Sequence, residues 1–245
     1  MTGEGTADAA IEQWSRIPHE VLEQMEPDGD FCRRHLLNPV LLQMLGEVSG
    51  RRIVDAGCGH GYFARMLTGS GALVTGVEPA QGLLTYALEK ESQLRQGITY
   101  IQADLTRAVD LGPVHDAVVC NMVLCAIEDW RAAMRTCVGL LRPGGRFIFS
   151  VNHPAFEQLW TTWREHGEYR VWRYLDEYEI PGSYAWDFHR SLSDYLNELT
   201  ALGCRIHRLA EPRLDPAVAE QAAATAPGIE AYTHLPNFLV VAADL

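Results

Sequence analysis

The chain has 245 residues, which allows one large domain or a core carrying an insertion and does not suggest a string of modules. Hydrophobic residues make up 47% and charged residues 21%, ordinary globular usage that can bury a full core. Lys and Arg number 20 against 32 Asp and Glu, and the resulting net charge of −12 argues against long DNA or RNA as a partner, because such binding draws on a basic surface. The longest apolar stretches are roughly half the length of a bilayer span. The opening MTGEGTADAA also lacks the basic-then-apolar order of a signal peptide, so a soluble, cytoplasmic protein with no membrane segment is expected. The cysteines at 32, 58, 120, 125, 137 and 204 form no CxxC pair and no zinc-like spacing. They are expected to be reduced and buried, with no metal.

Residues 1–10 are small and polar and are expected to be loose. A stretch rich in helix formers then runs to about residue 48 and ends at Gly50, so residues 1–50 read as an N-terminal helical cap. From 51 onward, β-branched runs alternate with amphipathic stretches. RRIVDA, ALVTGVE, ITYIQAD, HDAVVCN and GRFIFSVN each fit a buried strand, with helices predicted near 61–69, 80–93 and 129–141. Strand and helix taking turns, with little period-2 alternation inside the strands, predicts an α/β fold: a mostly parallel sheet covered by helices on both faces. The segment 152–188 breaks this rhythm with ten aromatic residues in 37, in a chain that is 9% aromatic. Ser191 and Asp194 then resemble a capping box, and Leu192, Tyr195, Leu196 and Leu199 repeat at helical spacing up to Gly203. CRIHRLA and NFLVVAAD predict two last strands, separated by a long Ala/Pro-rich loop over 210–235.

The first strand ends in Asp55-Ala56-Gly57-Cys58-Gly59-His60-Gly61 and runs into a helix beginning near Tyr62. Glycines here permit positive φ and let the backbone touch a ligand. Their spacing is not the G-x-G-x-x-G of dinucleotide sites, which disfavours NAD, and Asp55 is a poor neighbour for a pyrophosphate but a tolerable one for a cationic or zwitterionic ligand. Glu78 ends the second strand, placed to accept both hydroxyls of a ribose. Asp104 ends the third, where a carboxylate can accept from an adenine amine. Asn121-Met122 ends the fourth, and Pro143-Gly144-Gly145 leads into the fifth. Ligand-type residues thus gather at the carboxyl edge of one sheet, where open α/β sheets bind ligands.

The combination of D-x-G-x-G-x-G, an acid after each of the next two strands and L-R-P-G-G before the fifth resembles the class I S-adenosylmethionine-dependent methyltransferases over about 51–151. The resemblance implies a Rossmann-like, seven-stranded sheet whose last strand, 237–243, is antiparallel. It implies S-adenosylmethionine as cofactor. Gly57, Gly59 and Gly61 would pass under its methionine part, and Asp55 would orient the loop and the ammonium. Glu78, with Pro79 beside it, would hold the ribose, and Asp104 with Leu105 the adenine. Asn121 and Met122 would sit beside the sulfonium.

The methyl group arrives activated, so the protein must align a nucleophile and exclude water. A base near neutrality would help an O or N acceptor, and His153, two residues beyond the fifth strand, is either that base or a structural histidine before Pro154. His189 and Arg190 either hold an anionic group or make plain helix-start contacts. The aromatic insertion, with Trp186, is a substrate lid, a dimer contact or an extension of the core, and Trp14 and Phe31 of the cap could close the opposite wall. The expected activity is methyl transfer to O, N or C of a small aromatic or hydrophobic metabolite, as in natural-product biosynthesis. Methylation of tRNA or a protein, and a non-catalytic nucleotide-binding module, are the alternatives. Monomer and homodimer both stay open.

Overall fold

The computed structural model describes residues 4–112, 114–182 and 185–245. The N-terminal segment is helical from its first described residues, with α1 (Glu4–Ser15), α2 (His19–Gln24), a π-helical turn over Arg33–Leu37 and α3 (Asn38–Leu45). The expected looseness of residues 1–10 is therefore corrected from Glu4 onward, and residues 1–3 lie outside the described residues.

The alternating core follows as β1 (Arg52–Ala56), α4 (Tyr62–Gly69), β2 (Leu73–Val77), α5 (Gln81–Leu94), β3 (Thr99–Ile101), β4 (His115–Asn121), α6 (Trp130–Gly139) and β5 (Leu141–Asn152). Within the aromatic insertion lie α7 (Leu159–His166) and a hairpin of β6 (Tyr178–Pro181) and β7 (Trp186–His189). The chain closes with α8 (Leu192–Ala201), β8 (Arg205–Ala210), α9 (Pro216–Ala222), a 3-10 turn over Ile229–Thr233 and β9 (Phe238–Asp244).

The main sheet has seven strands in the order β3-β2-β1-β4-β5-β9-β8, and only β9 runs antiparallel to its neighbours. Its strands are continuous apolar runs because both faces are covered. Ile53, Val119 and Ile148 pack on one side with Phe63 and Leu67 of α4 and with Leu37 and Leu41 of the cap. Their neighbours Val54, Val118 and Phe147 pack on the other, against Trp130 and Met134 of α6 and Tyr195 and Leu199 of α8. Adjacent residues of one strand pointing to opposite faces put the two layers back to back.

The expected capping box is formed: Ser191 Oγ accepts from the Asp194 N–H at 3.2 Å, and Asp194 Oδ2 accepts from the Ser191 N–H at 3.0 Å. The loop expected over 210–235 is partly helical. Asp215 accepts from the Ala217 N–H at 2.8 Å, and Pro216 at the first helical position starts α9, an N-terminal signal of the kind that fixes φ and satisfies an orphan donor. Leu214, Ile229 and Tyr232 are buried against the sheet. All six cysteines are free, and all but Cys32 are buried.

The cap docks on α5. Ile17 and Leu22 pack on Ala80, Leu83 and Tyr86, and Gly82 lies so close to the Ser15 carbonyl that a Cβ there would collide with it.

Candidate active site

Two cavities open at the carboxyl edge of the sheet, one of about 730 Å³ and one of about 300 Å³. They share Trp14, Arg33, Gly57, Gly59, Leu83 and Asn121, so they meet where the glycine loop, the end of β4 and the cap converge. Strand register brings them together. β1 lies between β2 and β4 in parallel, and the carboxyl ends of all three fall at one level.

The glycine loop leaves β1 with its backbone in the left-handed region, φ +73° at Gly57 and +56° at Gly59. These two residues are glycine for different reasons. A Cβ on Gly57 would come within 2.5 Å of Val123 Cγ2, whereas one on Gly59 would meet no protein atom within 4 Å and would project into open space. Gly61 stands at the start of α4 and lines neither cavity.

Asp55, on β1, is buried and lines the smaller cavity, and its Oδ2 has no hydrogen-bond partner. Burial first, and then the neighbouring charge of Glu78, push its pKa up to about 7. Glu78 is also buried, and burial raises its pKa to about 7 against the backbone bonds it accepts. Those come from the Gly59 N–H to Oε2 and the Ala80 N–H to Oε1, both at 2.9 Å. Each carboxylate oxygen keeps a second lone pair for a ligand hydroxyl. Asp104 accepts from the Thr106 N–H and hydroxyl, each at 2.8 Å, and lines the larger cavity together with Pro79 and Leu105.

At the end of β4, Met122 takes φ +60° and its N–H donates to Ser150 Oγ at 2.9 Å. Ser150 Oγ donates to Asn121 Oδ1 at 2.7 Å, and Asn121 Nδ2 donates to the Tyr62 hydroxyl at 3.0 Å. The Tyr62 hydroxyl donates in turn to Asn38 Oδ1 at 3.1 Å, and Asn38 Nδ2 to the Asp28 carbonyl at 2.7 Å. This chain ties the floor of the site to the cap.

The cofactor set expected from the motif thus gathers around one space: Gly57, Gly59, Glu78, Pro79, Asp104, Leu105, Asn121 and Met122 line the larger cavity, and Asp55 faces the smaller. A buried carboxylate oxygen without a partner suits a ligand that carries positive charge, and the open space at Gly59 leaves room for a chain laid across the loop. These residues fit S-adenosylmethionine.

The substrate-side expectations fare differently. Trp14 lines both cavities, but Phe31 packs on the core and against His35 at 4.7 Å, and Trp186 is 41% exposed and lines neither cavity. His153 is buried and also lines neither. Its Nδ1 accepts from the Ala155 N–H at 3.1 Å, which puts the proton on Nε2, 2.9 Å from Glu211 Oε1. Both ring nitrogens are therefore spent on the protein, and the expected base is corrected to a residue that anchors the turn after β5. His189 is used likewise, with Nδ1 2.7 Å from Glu157 and Nε2 2.9 Å from the Tyr174 carbonyl. Arg190 is buried, paired with Glu177, and donates to the carbonyls of Leu124, Ile127 and Glu128, so it braces the loop after β4 and presents no free guanidinium to an anion.

Several lining residues escaped the sequence reading, Arg33, Asp187 and Phe188 among them. Arg33 stands in the π-turn of the cap at the junction of the two cavities, ion-paired with Asp30. Phe188 and Asp187, from β7, line the larger and the smaller cavity respectively. π-turns recur at functional sites, but nothing in RRHLL announces one.

Residues 54–149 match a family described as a methyltransferase domain. A ubiquinone biosynthesis O-methyltransferase from Alkalilimnicola ehrlichii is 33% identical over 148 residues, 58% of this chain, and the match spans only 56% of that relative's length. A magnesium protoporphyrin IX methyltransferase from Synechocystis, solved with bound S-adenosylhomocysteine, superposes with a TM-score of 0.65 over 98% of this chain and 99% of that one, at 19% identity, a likeness of fold. An S-adenosylmethionine-dependent methyltransferase from Mesorhizobium loti superposes with a TM-score of 0.70 at 31% identity, covering 84% of this chain and 96% of that one. Identity at that level across nearly all of the Mesorhizobium protein goes beyond shared architecture, and this chain belongs to the class I S-adenosylmethionine-dependent methyltransferases.

Proposed function

We propose that the protein transfers the methyl group of S-adenosylmethionine to a nucleophile of a small organic molecule. The unpartnered, buried Oδ2 of Asp55 carries the reading, because it calls for positive charge from a ligand beside the glycine loop. Glu78 and Asp104 hold the ribose and the adenine in the larger cavity, and Arg33 at the junction meets the ligand's carboxylate. The methionine part lies across the glycine loop in the smaller cavity, and the acceptor approaches the methyl group from the side of the cap and the β6–β7 hairpin.

The bound cofactor supplies an electrophilic methyl on a sulfonium. The protein's part is to hold the acceptor in line with it and to exclude water. The cap, residues 1–50, contributes Trp14 and Arg33, and the insertion, residues 152–188, contributes Asp187 and Phe188, so both act as covers over the sheet edge of the 51–245 methyltransferase domain. Among the described residues no helix is long and apolar enough to cross a membrane, and no group of three or more metal-type ligands occurs.

Calorimetry with S-adenosylmethionine, S-adenosylhomocysteine and NAD tests the reading. The first two should bind with micromolar affinity and NAD should not. Absence of S-adenosylhomocysteine binding would remove the proposal.

A further inference from the structure

β7 presents Phe188 to the larger cavity and Asp187 to the smaller, and its last residue is His189. Among the described residues its hairpin pairs with no strand of the seven-stranded sheet. A lone two-stranded hairpin is marginal in water, so β7 is held in place by side chains. Those side chains converge on His189, whose ring is 1% exposed and stacks on Tyr178 of β6 at 4.6 Å and 11°.

The two nitrogens of that ring meet two acceptors. Nε2 lies 2.9 Å from the Tyr174 carbonyl, which can only accept, so Nε2 carries a proton. Nδ1 lies 2.7 Å from Oε2 of Glu157, a side chain 10% exposed, in the segment that follows β5. An ionised carboxylate and a bare ring nitrogen are both acceptors, so this contact requires a second proton, on Nδ1 or on Oε2. His153 is the contrast: the Ala155 N–H donates to its Nδ1, and a neutral ring with one proton satisfies Glu211.

The surrounding groups keep that second proton in place. Burial first raises the Glu157 pKa to about 7, against the charge and bond of His189, and the like charge of Asp187 adds to the rise. The nearby cations are engaged elsewhere: Arg173 with Asp176, and Arg190 with Glu177 and the loop after β4. Burial also pushes the Tyr169, Tyr178 and Tyr195 hydroxyls above their ordinary range, so these phenols stay protonated at neutral and mildly alkaline pH.

We propose that Glu157 and His189 are positioning residues that share one proton, and that this proton latches the insertion so that β7 holds Phe188 and Asp187 at the walls of the two cavities. Loss of the proton to solvent sets a bare nitrogen against a carboxylate, takes the pair from neutral to a charge of −1, and releases the hairpin. In the released form the two groups return to ordinary values of about 4.3 and 6.5. Above about pH 6.5 the latched form therefore binds one proton more than the released form. The latch is at full strength between about pH 5 and 6.5 and is lost as pH rises through the value of the latched pair. The latch does not depend on which ligand fills the cavities.

Amide hydrogen exchange on the intact chain tests it. Protection of the described β6 and β7 amides, with the intrinsic exchange rate at each pH divided out, reads the opening. In the wild type it should fall by up to about tenfold per pH unit between about pH 7 and 9, while the β5 amides keep theirs. In Glu157→Gln the side-chain amide donates to bare Nδ1 with no titrating proton. Hairpin protection in that variant should stay level over the same range and exceed the wild type by about tenfold or more at about pH 9. A merely structural ion pair gives the opposite order, because the amide weakens it at every pH. Flat wild-type protection, a fall shared equally by β5, or Glu157→Gln protection below wild type at about pH 9 would each overturn the latch. If the variant fails to fold, the wild-type comparison of the hairpin with β5 still decides the matter.

Discussion

Replacing Gly59 by alanine separates ligand contact from folding at a single methyl group. The backbone there is left-handed, φ +56°, so any L side chain costs about 1–2 kcal/mol. No collision adds to that cost, because the new Cβ meets nothing within 4 Å. For a chain of this length each kcal/mol lowers the melting temperature by about 2–4 °C, and Gly59→Ala should melt about 2–8 °C lower than the wild type. The methyl enters the space shared by both cavities, where the proposed arrangement lays the methionine part of the cofactor across the loop. Crowding by one methyl costs about 1–3 kcal/mol, roughly 5- to 150-fold in S-adenosylhomocysteine affinity by calorimetry. Gly57→Ala is the contrast. Its Cβ would lie 2.5 Å from Val123 Cγ2, so the fold must shift and the melting temperature should fall further than for Gly59→Ala. Wild-type affinity in Gly59→Ala would refute the placement of the ligand over the loop, and a stability loss larger than that of Gly57→Ala would refute the stereochemical argument itself.

A positively charged ligand favours ionised Asp55 and Glu78, whose pKa values are raised to about 7, so S-adenosylmethionine affinity should rise between pH 6 and 8 with proton release, read as a buffer-dependent calorimetric heat that shrinks in Asp55→Asn. The same two groups, raised from 3.8 and 4.5, bind more protons folded than unfolded; their penalty on the ligand-free protein is absent below about pH 4 and complete above about pH 7, so they should lower the melting temperature over that window. Glu78→Gln and Asp104→Asn should each weaken cofactor binding by about 1–3 kcal/mol, with unfolding by heat still cooperative; a cofactor titration indifferent to both would remove the ribose and adenine roles. Arg190→Lys cannot reproduce a fork that reaches Leu124, Ile127 and Glu128, so proteolysis should accelerate in the loop after β4 and S-adenosylhomocysteine should bind more weakly.

The strands and the helices between them are legible in the sequence because a parallel sheet covered on both faces must be written in apolar runs, as in HDAVVCN, and its helices in amphipathic ones. The cofactor side is legible for a related reason: the motif residues Asp55, Glu78 and Asp104 sit at or just beyond strand ends, and strand ends fall together at one edge. Positions set by one residue from elsewhere in the chain are not legible. His153 stands at the expected edge, but Glu211, 58 residues later, claims its ring. Arg33 reaches the site through a π-turn, and Asp187 through the register of a hairpin in which Ile180 pairs with it. The Asp215-Pro216 start of α9 carried an N-cap and a first-turn proline, and the surrounding Ala/Pro composition masked them.

The hydrogen-bond chain from Ser150 to the Asp28 carbonyl explains why the cap and the sheet edge act together. The donors all run in one direction: Met122 N–H to Ser150, Ser150 to Asn121, Asn121 to Tyr62, Tyr62 to Asn38, Asn38 to the backbone of the cap. Ser150, Tyr62 and Asn38 are all buried, so an interruption anywhere strands a polar atom away from water, at about 1–3 kcal/mol. Asn121 has both ends of its amide engaged, which fixes its flip and leaves its backbone and the left-handed Met122 to define the floor of the larger cavity. The loop that carries Asp30 and leads into Arg33 is anchored at Asp28 by the far end of the same chain. The arginine at the junction of the cavities is therefore held in register with the end of β4 by polar contacts, while Ile17 and Leu22 hold the outer part of the cap by apolar ones. A cap attached by packing alone could slide on α5. One also pinned at Asn38 presents Arg33 and Trp14 to both cavities in a single geometry, and a fixed geometry is what catalysis by alignment draws on.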